Sequence, residues 1–345
     1  MQTIKYRLMR VEDSPALQAI MTASPDAGLI QFSYEYEQDL IKVHSSLGND
    51  VRGVVALRDD SIIGMFLGDL LQVQWAGEIQ DAVYISNLRV HPEYRRRGVA
   101  RGMSQWGLSY VEDQLGADAI LYGAVMESNT SLYLAQQYGF ISTHLIQGGV
   151  VPMRNHPPKS QPNLEVRQAV PDDLPEIVDS MNRFYQDYDL WSPVSANSLR
   201  SFIGQQVADI FPNQLYVVSR GGKLLAGLSL SDRTSLVRMR IAKSSAILRL
   251  MGVLLGILPR SGDLKTLTVR RVWFECDELE AGRYLWQQIR YQLRGRADSL
   301  GIAYDPRSPL HDLFQLPFWL PMFKARYLVR TSDSSHKLIY CLAGP

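Results

Sequence analysis

Cysteine is almost absent from this chain: Cys276 and Cys341 are the only two in 345 residues. That excludes a disulfide scaffold and a cysteine-rich metal site, and none of the six histidines stands in a ligand-spaced group, so no metal is expected. Charge imbalance is missing as well. Lys and Arg total 36 against 35 Asp and Glu, a net charge of +1, so nucleic acid is not favoured as a partner. Long apolar runs are also lacking. Met1-Gln-Thr-Ile-Lys-Tyr-Arg7 has no signal-peptide core, and Ala246–Leu258, interrupted by Arg249, is too short and charged to span a bilayer. A soluble cytoplasmic protein is expected from these absences.

What is present is an ordinary globular composition, 46% hydrophobic and 21% charged, in a length that suits two domains. The most informative stretch runs from Val83 to Ala100. Val83-Tyr-Ile-Ser-Asn-Leu-Arg-Val90 is β-branched and aromatic and reads as a strand. It breaks at Pro92, and a turn holding Arg95, Arg96, Arg97 and Gly98 feeds a helix beginning near Val99. A strand that turns on glycine into a helix N-terminus aims several free N–H groups, and the positive end of the helix dipole, at one point. Such a point suits a pyrophosphate. Gly98 permits close approach, Ala100 is small, and the three arginines with Arg101 add charge for further phosphates.

The chain also repeats one plan. Ile4-Lys-Tyr-Arg7 leads to Asp13-Ser-Pro15, and Leu164-Glu-Val-Arg167 leads to Asp172-Asp-Leu-Pro175; each reads as a short strand, an acidic cap and an amphipathic helix. A hairpin follows in each: 51–57 with 62–68, then 214–219 with 224–230. His156-Pro-Pro-Lys-Ser-Gln-Pro162 between them reads as a stiff linker. The expected organisation is therefore residues 1–155, a linker at 156–162, and residues 163–345.

The halves then diverge. After the strand Leu267–Phe274, the second turn reads Glu275-Cys-Asp277-Glu278-Leu-Glu280-Ala-Gly282, whose acidic groups would repel a pyrophosphate. The second half also carries an excursion near 232–263, in which Arg238, Arg240, Lys243 and Arg249 accompany the apolar stretch. It reads as a basic amphipathic helix, packed on its own domain more often than held on a membrane surface, which is not favoured. Phe314, Phe318, Trp319, Met322 and Phe323 read as core or interdomain contacts.

Arg95-x-x-Gly98-x-Ala100 resembles the acetyl-CoA loop of the GNAT superfamily of N-acetyltransferases. The context matches too: Leu88-Arg-Val90-His-Pro92 before the loop, and Ala119–Val125, Ser128-Asn129 and Tyr138-Gly139-Phe140 after it. The tandem plan is similar to that of the plant hookless-type acetyltransferases. The resemblance implies an α/β (α+β) fold of two GNAT-like domains, each a mixed, mainly antiparallel sheet flanked by helices. The second domain would be degenerate.

The resemblance further implies direct acetyl transfer from acetyl-CoA, with no metal, to an amine on a small molecule, a peptide or a protein lysine. Leu88, Arg89 and Val90 would hold the pantetheine arm by backbone hydrogen bonds, and the Leu88 N–H would stabilise the oxyanion. Arg95, Arg96, Arg97, Gly98, Val99, Ala100 and Arg101 would hold the pyrophosphate, and Asn129 would contact the pantetheine. The proton-transfer residues depart from the family pattern. The position often used for an acid tyrosine is Ala135; Tyr133 points to the opposite side of its helix, and Tyr138 is nearer the right face. At the common base positions stand Tyr84 and Ala124. Tyr84 is a base or a substrate-wall aromatic; Glu127 and Asp81 act through a water or are solvated loop charges. A non-catalytic acetyl-CoA sensor is the alternative. Two similar halves in one chain would mimic a dimer contact, which favours a monomer.

Overall fold

A computed structural model describes residues 3–24, 31–46, 50–127, 129, 131–243, 263–331 and 337–341. The first half runs β1 (Lys5–Leu8), α1 (Ser14–Ala23), β2 (Gln31–Tyr36), α2 (Leu40–Ser45), β3 (Asp50–Arg58), β4 (Ser61–Trp75) and β5 (Glu78–Val90). It continues with α3 (Val99–Leu115), β6 (Ile120–Met126), α4 (Ser131–Gln137) and β7 (Ile141–Pro152). The second half runs β8 (Glu165–Gln168), α5 (Leu174–Phe184), β9 (Tyr188–Asp189), α6 (Ala196–Gly204), β10 (Asn213–Arg220), β11 (Lys223–Ser231) and β12 (Val237–Lys243). After β13 (Asp263–Leu264) come β14 (Thr266–Phe274), α7 (Leu279–Gln292), β15 (Ser299–Tyr304), α8 (Leu310–Phe314), β16 (Phe323–Arg330) and β17 (Leu338–Ile339).

Helix spacing decides which side of the sheet each helix covers. Leu17, Ile20 and Met21 of α1 recur at i, i+3 and i+4, and they pack on Val55, Met65 and Leu67. Val99 and Met103 of α3 pack on the alternate residues Val54, Ala56, Ile63 and Phe66, so α3 lies on the opposite face. With both faces covered, β3 and β4 read as nearly continuous apolar runs. In the second half α5 and α6 cover one face through Leu215, Val217 and Leu224. There α7 covers the other, through Val218, Leu228 and Leu230.

Among the described residues one mixed, mainly antiparallel sheet has the order β1-β3-β4-β5-β6-β16-β7-β15-β14-β11-β10-β8. The order reads as the same plan from either edge, and the halves exchange their last strands at the centre. There β16 pairs with β6, and β7 pairs with β15. The likeness extends to single residues. Arg7 grips Asp13 (2.7 Å) and Arg167 grips Asp173 (2.6 Å), while each carboxylate also accepts a backbone N–H, from Arg10 or Val170. The arginine hydrogen bond holds each carboxyl below its ordinary value. Asn87 in β5 and Arg271 in β14 both take a positive φ (53° and 51°) where the register against the preceding strand shifts, which marks a β-bulge.

The basic excursion differs from its expectation. Arg238 and Arg240 lie on β12, a strand, because β12 pairs with β2 of the first half and faces carboxylates there. Arg238 meets Glu37 (3.1 Å), and Arg240 meets Glu35 (3.0 Å) and Asp263 (2.9 Å). The apolar stretch 246–258 lies outside the described residues. The aromatic group also divides: Phe314 is core, whereas Phe318 is fully exposed.

Candidate active site at a strand fork

The site begins where β5 and β6 part. They pair in parallel through Ala82–Tyr84 and Ile120–Tyr122 only. Beyond Tyr122, β6 stays paired with β16 as far as Met126, while β5 is paired on its β4 side. Among the described residues, the edge of β5 that faces β6 from Ile85 onward therefore carries no strand partner. An extended amide chain can add to such an edge by main-chain hydrogen bonds. Gly123 stands at the parting point, where a Cβ would meet the Ile85 carbonyl oxygen at 2.7 Å. The Asn87 bulge turns the backbone before Leu88, inside this edge.

The turn after β5 leads to α3. Gly98 is its N-cap with φ 80°, and Arg96 also has positive φ (62°). Arg96, Arg97 and Gly98 are exposed, and a Cβ at Gly98 would meet nothing, so the turn faces open space in front of the helix N-terminus. That is the geometry of an anion cradle. The arginines divide their roles. Arg95 folds back instead, donating to the Val90 carbonyl (3.1 Å) and to Ser24 Oγ (3.0 Å). Arg97 lies over the Tyr94 ring, 5.6 Å from its centroid, and Arg101 donates to Gln137 (3.0 Å). Val99 is buried and Ala100 half-buried at the start of α3. Asn129 Oδ1 accepts from the Ser131 N–H (2.9 Å), so its amide oxygen caps α4; Ser128 lies outside the described residues.

The proposed proton-transfer residues fare differently. Tyr84 is enclosed against Tyr122 (ring centroids 5.2 Å apart), and burial pushes its hydroxyl well above the ordinary tyrosine value. Its enclosure favours the substrate-wall reading over the base. Tyr138 donates to the Arg101 carbonyl (2.8 Å) and so ties the end of α4 to the first turn of α3. Glu127 is paired with Arg326 (2.9 Å), and Asp81 accepts from Gln72 (3.0 Å).

Sequence reasoning missed His44. Helix α2 places it beside the bulge, where its Nε2 lies 3.1 Å from Tyr36 Oη and 3.5 Å from Asn87 Nδ2. The second half clamps this helix: Gln205 donates to the Ser45 carbonyl and Asn213 to that of Ser46, each at 2.6 Å. Burial, helped by the charge of Arg233, lowers His44 from 6.5 to about 3. Nothing in the local sequence marks it, because β2 and α2 meet the bulge only in the fold.

This buried imidazole has a stability consequence. Below pH 6.5 the unfolded chain takes up a proton that the folded His44 refuses until about pH 3. Stability is therefore full above 6.5 and falls as acid is added, by at most about 1.4 kcal/mol per pH unit from this group. His44→Gln should flatten that slope between pH 6 and 4 in urea melts; an unchanged slope would show that His44 is not the group responsible.

The second half has a matching fork, since β14 and β15 pair only through Thr266–Thr268 and Ser299–Gly301. It is filled. Tyr185 donates to the Val272 carbonyl on the β14 edge (2.6 Å), and Tyr304, Tyr340 and Cys341 line a remaining cavity of about 20 Å3. That is room for roughly one water. The turn beyond is missing too. Helix α7 starts at Leu279, only a few residues after β14 ends, so Gly282 lies inside the helix against Leu313. Glu275 pairs with Arg183 and Glu278 with Arg220, each at 2.8 Å, so these acids are neutralised by their own half.

Known proteins resemble this chain in sequence profile over part of its first half and in fold over most of its length. The sequence profile described as "Acetyltransferase (GNAT) family" matches residues 17–140. No curated protein matches the sequence. A crystal structure of a GCN5-related N-acetyltransferase from Anabaena variabilis is similar at TM-score 0.53 and 14% identity, covering 96% of this chain and 73% of that one. Saccharomyces cerevisiae N-myristoyltransferase with bound myristoyl-CoA is similar at TM-score 0.65 and 10% identity, covering 99% and 86%. A probable N-acyltransferase from Enterococcus faecalis gives 0.54 and 14%, with 95% and 73% covered. At these identities the likeness is one of fold. Among the described residues no helix is long and apolar enough to cross a membrane, and no group of three or more His, Cys, Asp or Glu side chains gathers as a metal site.

Proposed function

We propose that this chain, whose residues 17–140 match the GNAT family profile, is an acyl-CoA-dependent N-acyltransferase that moves an acetyl group from acetyl-CoA to a primary amine at the first fork. The unpaired β5 edge beside the Gly98 turn carries this reading. Backbone groups of Leu88, Arg89 and Val90 would hold the pantetheine amides, and the N–H groups from Arg96 to Arg101 the pyrophosphate. The Leu88 N–H would stabilise the developing oxyanion.

In the transfer the amine nitrogen attacks the thioester carbonyl, the C–N bond forms, the C–S bond breaks, and the thiolate leaves to take up a proton. The amine's own proton needs an acceptor. Solvent water is that acceptor, since His44, although beside the bulge with Tyr36 as its hydrogen-bond partner, is held neutral by burial down to about pH 3. The second half supports catalysis as a degenerate copy: its fork is plugged by Tyr185, and it holds α2 and β2 in place.

A non-catalytic acyl-CoA sensor is the second reading, favoured by the pairing of Glu127 and the enclosure of Tyr84. Thiol release from acetyl-CoA, followed across a panel of small amines and peptides, separates the two. We expect saturable, amine-dependent release. Tight acetyl-CoA binding with no release for any amine would support the sensor instead.

A further inference from the structure

Three tyrosines stand where the first fork closes. Tyr84 ends the stretch of β5 that pairs with β6, Tyr122 is its partner on β6, and Tyr327 lies on β16, the next strand. Tyr84 is opposite Asp69 and Tyr122 opposite Val329, so by strand alternation all three rings project from the face that α1 covers through Leu67. They form one row. The Tyr84 and Tyr122 ring centroids are 5.2 Å apart, and those of Tyr122 and Tyr327 are 6.0 Å apart. Tyr122 and Tyr327 are both 0% exposed, whereas Tyr84 is half-buried, so Tyr84 is the ring of the row that keeps an open surface.

The row has no room to retreat. It is packed into one cluster with Trp75 of the first half and with Leu190, Ile339 and Cys341 of the second. Two backbone hydrogen bonds fix that lining: the Leu190 N–H donates to the Gln74 carbonyl (2.8 Å), and the Gln74 N–H to the Trp191 carbonyl (2.7 Å). Rings held at interior density move only by overpacking their neighbours. The other face of the fork is closed as well, because Ile85 and Leu88 pack with Phe66 and with Val99 and Met103 of α3.

The inference rests on the acyltransferase reading. A donor with its pyrophosphate before α3 and its thioester at Leu88 points its acyl chain past Leu88 toward Tyr84, where main-chain pairing already joins β5 and β6. A longer chain would have to leave the sheet, and it meets the tyrosine row on one face and the α3 cluster on the other. We propose that Tyr84, backed by Tyr122 and Tyr327, is the acyl stop of this site, so that the donor carries a short acyl group, acetyl or propionyl, and longer chains are refused. Each methylene that finds no room costs about tenfold or more in discrimination. Tyr327 and the Leu190 lining come from the second half. That half then has a function its plugged fork does not show: it helps to set the chain length.

The test titrates the full chain in a calorimeter, without acceptor, with CoA, acetyl-CoA, propionyl-CoA and hexanoyl-CoA. Acetyl-CoA and propionyl-CoA should bind at least as tightly as CoA, and hexanoyl-CoA at least tenfold more weakly than propionyl-CoA. Tyr84→Ala should bring hexanoyl-CoA to the affinity of propionyl-CoA, and Tyr84→Leu, a smaller change to the packing, should move it the same way. Tyr84→Phe keeps the ring and should keep the wild-type order; a changed order there would assign the effect to the hydroxyl and overturn the stop. Tyr327→Leu should narrow the gap between the two chain lengths, and no change would remove the second half's part in it. Hexanoyl-CoA bound by wild type as tightly as acetyl-CoA, or an unchanged order in both Tyr84→Ala and Tyr84→Leu, would overturn the proposal. Equal binding of all four ligands removes the stop and leaves the acyltransferase reading standing, whereas binding of none, CoA included, would bring down both.

Discussion

Gly98→Glu is expected to weaken acyl-CoA binding by about 100-fold or more, equivalent to about 2.7 kcal/mol. Two effects act together. Gly98 has φ 80°, where a side chain strains the backbone by about 1–2 kcal/mol. The new carboxylate would also stand at the helix N-terminus, where the donor's pyrophosphate belongs, and like charges repel there. Because a Cβ at Gly98 meets nothing within 4 Å, the fold itself should survive. Gly98→Ala is the control: it carries the strain without the charge and should lose much less affinity. Calorimetry of both variants checks the pair. Equal affinity for wild type and Gly98→Glu would move the donor away from this turn.

The second large effect concerns the parting of the strands. Gly123→Val should cost about 3 kcal/mol of stability and at least tenfold in acyl-CoA affinity. Its Cβ would sit 2.7 Å from the Ile85 carbonyl oxygen, which belongs to the backbone and cannot swing aside as a side chain can. β5 and β6 would then separate earlier, disturbing the edge that includes Leu88. Gly139→Ala offers a contrast, since a Cβ there meets nothing and the change carries only the strain of its positive φ (79°). Urea melts and donor titrations measure both quantities. A Gly123→Val protein with wild-type stability would mean that the fork is not held by this close contact.

Much of this architecture is written locally. The strand ending at Val90, the glycine turn and the helix from Val99 follow from β-branched residues, Pro92 and Gly98, and the structure has them as β5, the turn and α3. The paired hairpins appear as β3 with β4 and β10 with β11. The repeat visible in Arg7…Asp13 and Arg167…Asp173 becomes two matching ion pairs.

Other features needed long-range contacts. No pattern announces that β16 lies between β6 and β7, because strand exchange depends on which edges are open once both halves exist. Arg238 and Arg240 looked helical beside an apolar stretch, yet β2 offered them a strand partner and the carboxylates of Glu35 and Glu37. His44, Tyr36 and Asn87 come from α2, β2 and β5. Their meeting is a property of the sheet's order and of the clamp on α2. The glutamates at 275 and 278 were legible as hostile to phosphate, but their arginine partners were not.

We propose that, of the two forks, one is open to an acyl-CoA. Calorimetric titration of the full chain with acetyl-CoA, without any acceptor, addresses it directly. One site per chain, in the micromolar range or tighter and lost in Gly98→Glu, is the predicted result. Two sites per chain would contradict the plugging of the second fork by Tyr185, and no binding would contradict the assignment of the first.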